Sequence, residues 1–367
     1  MSHEDSPQTG LNSSSGEEQQ QQQQQRSISK DNGAAFDSLR QFVRQQLRSQ
    51  EPTFPSPFGP RRVVYADHTA SSRALPCLEA FIQEHVYPFY ANTHTTTSTT
   101  GLQTSRFREE ARDIIRNATN ASEHDAVIFC GAGVTGAVNK LVHALRVRER
   151  VMFEKQRITV IHGPFEHHSN ILPWRETGAA VLEVRESADG TIDLDHLKTL
   201  LASPAVAGSD LVVGTFAAMS NVTGIVADVQ ALTVLLHQHG ALALFDFATA
   251  ASYCPIDMNP VLVDANKALA APDAVFISPH KLIGGVNTPG VLIAKRALFS
   301  TARHPATPGG GCVFFVTEAA HRYLQDVEMR EEAGTPNIVG AVRAGLAFKL
   351  KIEAGPGNIL RCVCMCG

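Results

Sequence analysis

Apolar and polar positions along this chain fall into blocks that read in turn as strands and helices. Short apolar runs occur at Ala126-Val127-Ile128-Phe129-Cys130, Ile158-Thr159-Val160-Ile161, Leu211-Val212-Val213-Gly214-Thr215-Phe216, Ala241-Leu242-Ala243-Leu244-Phe245-Asp246 and Val275-Phe276-Ile277. Continuous apolar runs bounded by turn residues are the pattern of strands buried on both faces, as in a parallel sheet covered by helices. After the first run, Val138, Leu141, Val142 and Leu145 recur at helical spacing. The alternation predicts an α/β fold. Nearer the N-terminus, Phe36, Leu39, Phe42, Val43 and Leu47 predict an amphipathic helix. It must stop before Pro52-Thr53-Phe54-Pro55-Ser56-Pro57, which cannot continue a helix.

Composition changes this picture only at the ends. Residues 1–34 are Ser-, Glu- and Gln-rich, with an unbroken tract from Gln19 to Gln25, and cannot bury enough apolar surface to order themselves. The chain therefore divides into a tail (1–34), a helix and Pro-rich linker (35–60), a main domain (61–350) and an atypical Cys-rich terminus (351–367). At 367 residues, 43% hydrophobic and 19% charged, it can build a sizeable globular core. A net charge of −4 gives no reason to expect nucleic acid or an anionic membrane as partner. No apolar run approaches the ~20 residues of a spanning helix. The N-terminus lacks the order of a secretory signal, and Glu4, Asp5, Glu17 and Glu18 argue against an organelle transit peptide. Seven cysteines, four of them scattered singly at Cys77, Cys130, Cys254 and Cys312, fit a reducing compartment, with the cytoplasm as default.

Candidate chemistry gathers where the apolar runs end. Asp246 closes one of them, which places a carboxylate at the C-terminal edge of a strand, where ligands of open α/β sheets bind. Taken alone, such an Asp reads rather as the cap of a turn or helix. Behind Cys130, Gly131-Ala132-Gly133-Val134-Thr135-Gly136 puts backbone N–H groups and a hydroxyl at one strand-to-helix turn, which suits a phosphate. No Gly-Lys-Ser/Thr follows, the glycine spacing fits a dinucleotide fingerprint poorly, and a plain tight turn is the alternative. Glu166-His167-His168-Ser169-Asn170 follows the second run. Adjacent histidine side chains diverge and have no partner at zinc spacing, so no metal is expected; a flat imidazole there suits stacking on an aromatic cofactor and proton relay. Ser220-Asn221-Val222-Thr223-Gly224 brings an amide to another strand edge. Last, Ser278-Pro279-His280-Lys281 carries a lysine just past an apolar run and before Gly284-Gly285. By itself Lys281 reads as a helix-start or snorkelling residue. An amine held in a pocket, however, becomes nucleophilic toward carbonyls, and a pyridoxal phosphate Schiff base needs such a lysine together with a carboxylate for the pyridine nitrogen.

With these segments in one order, the chain resembles the class V aminotransferase group of fold type I pyridoxal phosphate enzymes. The likeness is nearest to cysteine desulfurases and selenocysteine lyases, from about Tyr65 to about Leu350. The resemblance implies a mostly parallel seven-stranded sheet between helices, pyridoxal 5'-phosphate as cofactor and an amino acid, cysteine favoured, as substrate. Gly133-Val134-Thr135 stands where the family has Gly-Thr-Thr, so the Val134 amide and Thr135 are expected on the phosphate. By the same matches, His167 would stack on the ring and assist proton transfer, Asn221 would reach the ring hydroxyl, and Asp246 would hold the pyridine nitrogen. Ser278 and His280 would join the phosphate site and Lys281 would form the Schiff base. Glu332-Ala333-Gly334-Thr335-Pro336-Asn337 matches a segment whose Thr reaches the phosphate of the neighbouring subunit, which implies a homodimer. Tyr65-Ala66-Asp67-His68-Thr69-Ala70 and Asn92-Thr93-His94 resemble segments lining the substrate entrance; Thr93 to Thr100 otherwise reads as a polar loop.

Two departures bear on the reaction. Where the family has Asp-x-Ala-Gln or Asp-x-Ala-His, this chain has Asp246-Phe247-Ala248-Thr249, so the shorter Thr249 faces the ring hydroxyl. Related desulfurases also carry a small C-terminal domain with a nucleophilic cysteine and a substrate-binding arginine. Here the pattern stops near Leu350 and the sequence runs on to Cys362, Cys364 and Cys366, as expected of a replaced terminus on a truncated chain with that domain largely missing. The N-terminal amphipathic helix would then show an apolar face. Cys312, after Gly309-Gly310-Gly311, is the other thiol near the expected site and reads as structural. Three functions stay open: sulfur or selenium abstraction with a sulfur-acceptor protein, transamination or epimerisation on the same cofactor, and a non-catalytic interaction module.

Overall fold

The computed structural model describes residues 35–49, 51–261, 269–302 and 304–359. The tail and the three terminal cysteines lie outside them. Each apolar run forms a strand of one seven-stranded sheet. Its strands are β1 (Asp125–Cys130), β2 (Ile158–His162), β3 (Ala180–Glu183), β4 (Leu211–Ala217), β5 (Leu242–Asp246), β6 (Ala274–Ile277) and β7 (Gly290–Lys295). Their order is β1-β7-β6-β5-β4-β2-β3. Pairing is parallel from β6 through β5, β4 and β2 to β3, while β7 runs antiparallel to both β6 and β1. All strands except β7 therefore end at the same edge, which is where a sheet of this kind holds its ligands.

Helices cover both faces, as continuous apolar strands require. The principal ones are α1 (residues 35–48), α2 (Thr99–Ala118), α3 (Gly133–Ala144), α4 (Val229–Gln238) and α5 (Ile338–Ala354). Successive strand residues point to opposite faces. Val127, Phe129, Phe216 and Phe245 join one core with Ile115 of α2 and Phe348 of α5. Ile128, Val160, Leu244 and Phe276 join another with Val138 and Leu141 of α3. Helices α2 and α5 meet at small residues: a Cβ on Gly345 would fall 2.7 Å from Ala111. Helix α1 lays Phe36, Leu39, Val43 and Leu47 along an apolar groove of about 390 Å³ shared with Leu350 and Ala354, whereas Phe42 points outward and is 42% exposed. Helix α5 continues past Leu350, where the sequence pattern suggests the domain ends. The threonine-rich stretch is also only partly a loop, since the Ser98 hydroxyl accepts from Gly101 N–H and starts α2 at Thr99. No helix among the described residues is long and apolar enough to cross a membrane.

Strand β1 lies at the sheet edge, yet its outer backbone groups are not left open. Val127 N–H donates to Glu328 Oε1 at 2.8 Å and Phe129 N–H to Glu332 Oε1 at 2.6 Å. The Asp125 carbonyl accepts from Arg116 Nη1 at 2.9 Å, and the Val127 carbonyl accepts from Arg112 Nη1. Carboxylates and guanidinium groups thus replace a neighbouring strand, satisfying the edge and blocking further pairing. This matters for function because β1 runs directly into Gly131–Thr135.

Candidate active site

Five strand ends deliver their side chains to one cavity of about 810 Å³. Gly133, Val134 and Thr135 arrive from β1, His167 and Ser169 from β2, Asn221 from β4, Asp246 and Thr249 from β5, and Ser278, His280 and Lys281 from β6. Every residue expected at the cofactor from one chain is therefore brought together. Thr335 is not among them; it is exposed and lies outside the cavity lining.

The first cluster is rich in donors. Gly133 has φ +53°, a left-handed conformation that a residue without Cβ adopts freely, and a Cβ there would fall 2.9 Å from Ser278 Oγ. A Cβ on Gly290 of β7 would run into the Gly133 carbonyl, so two glycines let the turn and the strand approach. Ser278 Oγ accepts from Val134 N–H at 3.0 Å, which leaves its own O–H to donate. The N-cap residue of α3, Ala132, supplies no side-chain cap. The positive end of that helix, the Thr135 and Ser278 hydroxyls and the half-buried His280 make a set that favours an anion. His280 is held by Ser71 Oγ, 3.2 Å from Nδ1, and its carbonyl accepts from Ser72 N–H at 2.9 Å.

Asp246 and Lys281 form the second cluster. Asp246 is 5% exposed, and burial pushes its carboxyl up to about 6 against the opposing pull of Ala248 N–H and Lys281. Its Oδ1 accepts from Ala248 N–H at 2.7 Å, while Oδ2 has no partner among the described residues. That leaves one carboxylate oxygen for a cationic N–H. Lys281 is half-buried and makes no side-chain hydrogen bond among the described residues. Burial lowers its amine below the usual lysine range, with Asp246 opposing. Lysine 281 also lines the apolar groove beside α1, so its stem separates a polar cavity from an apolar one.

Glu166 and Asn170 carry the frame behind these groups. Glu166 Oε1 accepts from Ala217 N–H at 2.6 Å and Oε2 from Asn170 Nδ2 at 2.7 Å. Asn170 Oδ1 in turn accepts from Thr215 Oγ1 at 2.8 Å. These bonds stitch the end of β2 to β4 and fix the loop that bears His167. Burial pushes the Glu166 carboxyl up to about 8, its hydrogen bonds opposing.

Sequence reasoning gave no role to four polar lining residues, Ser71, Ser169, Asn287 and Thr288, nor to the apolar Phe165, Ala217 and Met219. For the polar four the only signal is proximity to recognised segments, since a hydroxyl or amide in a loop follows no periodicity. Asp67, Thr69 and Ala70 do line the cavity, as the Tyr65–Ala70 segment suggested. Asn92–His94 does not; His94 Nε2 instead bonds the Gly334 carbonyl at 2.9 Å. Among the described residues no cysteine and no arginine lines the cavity. Cys312 is fully buried, with its thiol 3.0 Å from the Gly309 carbonyl.

Residues 64–360 match the aminotransferase class-V family model. The chain is 30% identical over 292 residues to a probable cysteine desulfurase of Chlamydia muridarum, covering 78% of this chain and 66% of the relative. A probable cysteine desulfurase of Halalkalibacterium halodurans is 28% identical over 301 residues, 81% of this chain and 68% of its own. The chain thus spans about two thirds of the length of the curated relatives it matches. Among solved structures, the apo cysteine desulfurase from Thermococcus onnurineus NA1 superposes with a TM-score of 0.68 at 24% identity, over 82% of this chain and 70% of that one. A cysteine desulfurase from Escherichia coli gives 0.62 at 24% identity, over 79% and 68%. The shared fold is the large domain of the fold type I pyridoxal phosphate transferases. The sheet, the strand-end chemistry and the family match converge: this chain belongs to the class V aminotransferase family.

Proposed function

We propose that this chain binds pyridoxal 5'-phosphate at Lys281 and acts on an amino acid, with abstraction of sulfur or selenium, from cysteine in the first instance, as its reaction. The observation that carries this is the meeting of a desolvated lysine, a buried half-free carboxylate and a donor-rich turn in one cavity. These residues fit the cofactor chemically. Thr135, Ser278 and His280 would hold its phosphate, with Val134 N–H acting through the Ser278 hydroxyl it donates to, Asp246 Oδ2 its pyridine N–H, and Asn221 and Thr249 its ring hydroxyl. His167 would face the ring. When bound, the cofactor supplies an electron sink for bond breaking at the substrate Cα. The Lys281 amine, less basic than usual, would hold the cofactor and would be the group placed to move a proton at the substrate Cα. The exposed Thr335, outside its own chain's cavity, supports service to a second copy and hence a homodimer. A sulfur-acceptor protein would complete the partners. Cysteines that stand singly along the chain, at Cys77, Cys130, Cys254 and Cys312, support the cytoplasm as location.

One observation favours a second reaction on the same cofactor. With no thiol lining the cavity among the described residues, sulfur has no acceptor there, so transamination or epimerisation is the alternative. The two separate in one assay. Release of alanine and sulfide from cysteine supports abstraction; amine transfer that requires a keto acid, without sulfide, supports the alternative.

The carboxylate of Asp246 sets a pH dependence. Its folded value of about 6 lies above the ordinary 3.8, so in the unloaded chain it contributes stability that is lost as pH rises through about 6. The ionised form is also the one that pairs with a pyridine N–H. Cofactor affinity should therefore rise about tenfold from pH 5 to pH 7. Asp246→Asn should bind more weakly and lose that slope, as read by cofactor titration at several pH values. An equal slope in the variant would rule out Asp246 as the partner.

A further inference from the structure

Ser169 occupies the position of the Glu-His-His-x-Asn segment that carries no expectation of its own, yet its contacts join two of the segments that line the cavity. It sits in a one-turn 3-10 helix, His168–Asn170, that begins at His167. Its backbone N–H donates to His167 Nδ1 at 3.2 Å. Its hydroxyl lies 3.0 Å from the same nitrogen and 2.8 Å from Thr135 Oγ1. A backbone N–H only donates, so His167 Nδ1 presents its lone pair, and the proton of the neutral ring sits on Nε2.

We propose that Ser169 is a positioning residue that fixes His167 as the neutral Nε2–H tautomer and ties its ring to the Thr135 hydroxyl of the anion cradle. Protonating Nδ1 would set that new N–H against the Ser169 N–H and break the capping bond. The groups around the ring oppose a charge as well. Burial lowers the His167 imidazole from its ordinary value, with Lys281 and His168 adding to the effect. His280, itself lowered by burial and by Lys281, shares the cavity. The acids nearby are Asp246 and Asp67 on the cavity wall, and Glu166, whose oxygens are engaged by Ala217 and Asn170.

A consequence for the reaction follows from the tautomer. A ring with Nδ1 engaged and Nε2 protonated donates a hydrogen bond into the cavity but has no free nitrogen to accept a proton. His167 is then a flat donor rather than a base, and proton removal falls to Lys281. That functional meaning rests on the cofactor proposal above; the tautomer and its tie to Thr135 do not.

The test is nitrogen NMR of the full chain carrying 15N-labelled histidine, without cofactor. The chain has 15 histidines, so the His167 signals are assigned by their loss in His167→Gln. In the wild type, Nδ1 should show the shift of an unprotonated, hydrogen-bonded nitrogen and Nε2 that of an N–H. Ser169→Ala keeps the backbone donor but removes the hydroxyl, and the His167 pKa should rise by about 0.5–1 pH unit. Ser169→Thr, which keeps a hydroxyl, should return it to the wild-type value. A wild-type ring protonated on Nδ1 at neutral pH would overturn the proposal, as would an Ala variant titrating like the wild type. The wild-type tautomer decides the matter even if a variant folds poorly. Cofactor uptake, followed in the same samples by visible absorption, is a separate readout. A chain that shows the Nε2–H ring and the titration change but takes up no cofactor keeps Ser169 as the positioning residue and loses only the cofactor proposal.

Discussion

Lys281→Ala is expected to abolish the visible absorption that the chain acquires on mixing with pyridoxal 5'-phosphate and to lower turnover of its amino-acid substrate by at least about 10²–10⁴-fold. The expectation follows from how the residue is held. The apolar strand β6 ends at Ile277, and the turn Pro279–Lys281 swings the side chain back over the strand ends. Ser252 Oγ donates to the Lys281 carbonyl at 2.9 Å and fixes that turn. The amine itself is desolvated and makes no hydrogen bond among the described residues. Such a group contributes chemistry rather than stability, because burying an unpaired amine is unfavourable. The variant should therefore unfold at the wild-type midpoint or slightly above it. Retained turnover with retained absorption would mean that another amine serves the cofactor. A large loss of stability would mean that Lys281 is a structural residue after all.

Glu332→Ala should be the most destabilising single change near the site, by about 3–5 kcal/mol in urea unfolding. Glu332 is 7% exposed, and its carboxylate receives Arg112 Nη1 at 2.9 Å, Arg112 Nη2 at 3.1 Å, Phe129 N–H at 2.6 Å, and Arg108. Arg112 is 3% exposed, and burial already pushes Arg108 down to about 10. Removing the carboxylate leaves two desolvated guanidinium groups beside each other and frees an edge-strand N–H. The damage is not confined to the core, since β1 and the segment after Glu332 flank the donor-rich turn. The variant should also bind inorganic phosphate more weakly. An unchanged unfolding midpoint would show that the arginines find other partners and that the edge of β1 needs no cover.

Sequence alone made the strand ends legible because each combines an apolar run with a residue type that chemistry constrains. Asp246, Lys281 and the Gly131–Thr135 turn all follow that form, and the structure brings them to one cavity. Other parts carry no such double signal. Strand β3 is only four residues long and partly exposed, so its Ala-Val-Leu-Glu looks like any loop. The run at Gly290–Lys295 is apolar enough to read as a strand, but nothing in it says that β7 is antiparallel. Helix α2 is polar overall, and besides its Ala111 and Ile115 contacts it carries arginines that meet glutamates over two hundred residues away, a partnership no local window contains. Ser71 and Ser169 escaped notice for a related reason. A serine has no periodicity, and its role appears only when a histidine is folded against it.

The most direct test of the central claim is to incubate the chain with pyridoxal 5'-phosphate, reduce with borohydride, digest, and locate the phosphopyridoxyl group by mass spectrometry. The cavity geometry predicts modification of one lysine, Lys281, at near-stoichiometric yield, with little label on Lys140, Lys295 or Lys351, whose amines are engaged by Glu331, Asp125 and the Cys254 carbonyl. Label spread over surface lysines, or concentrated on any lysine other than Lys281, would contradict it.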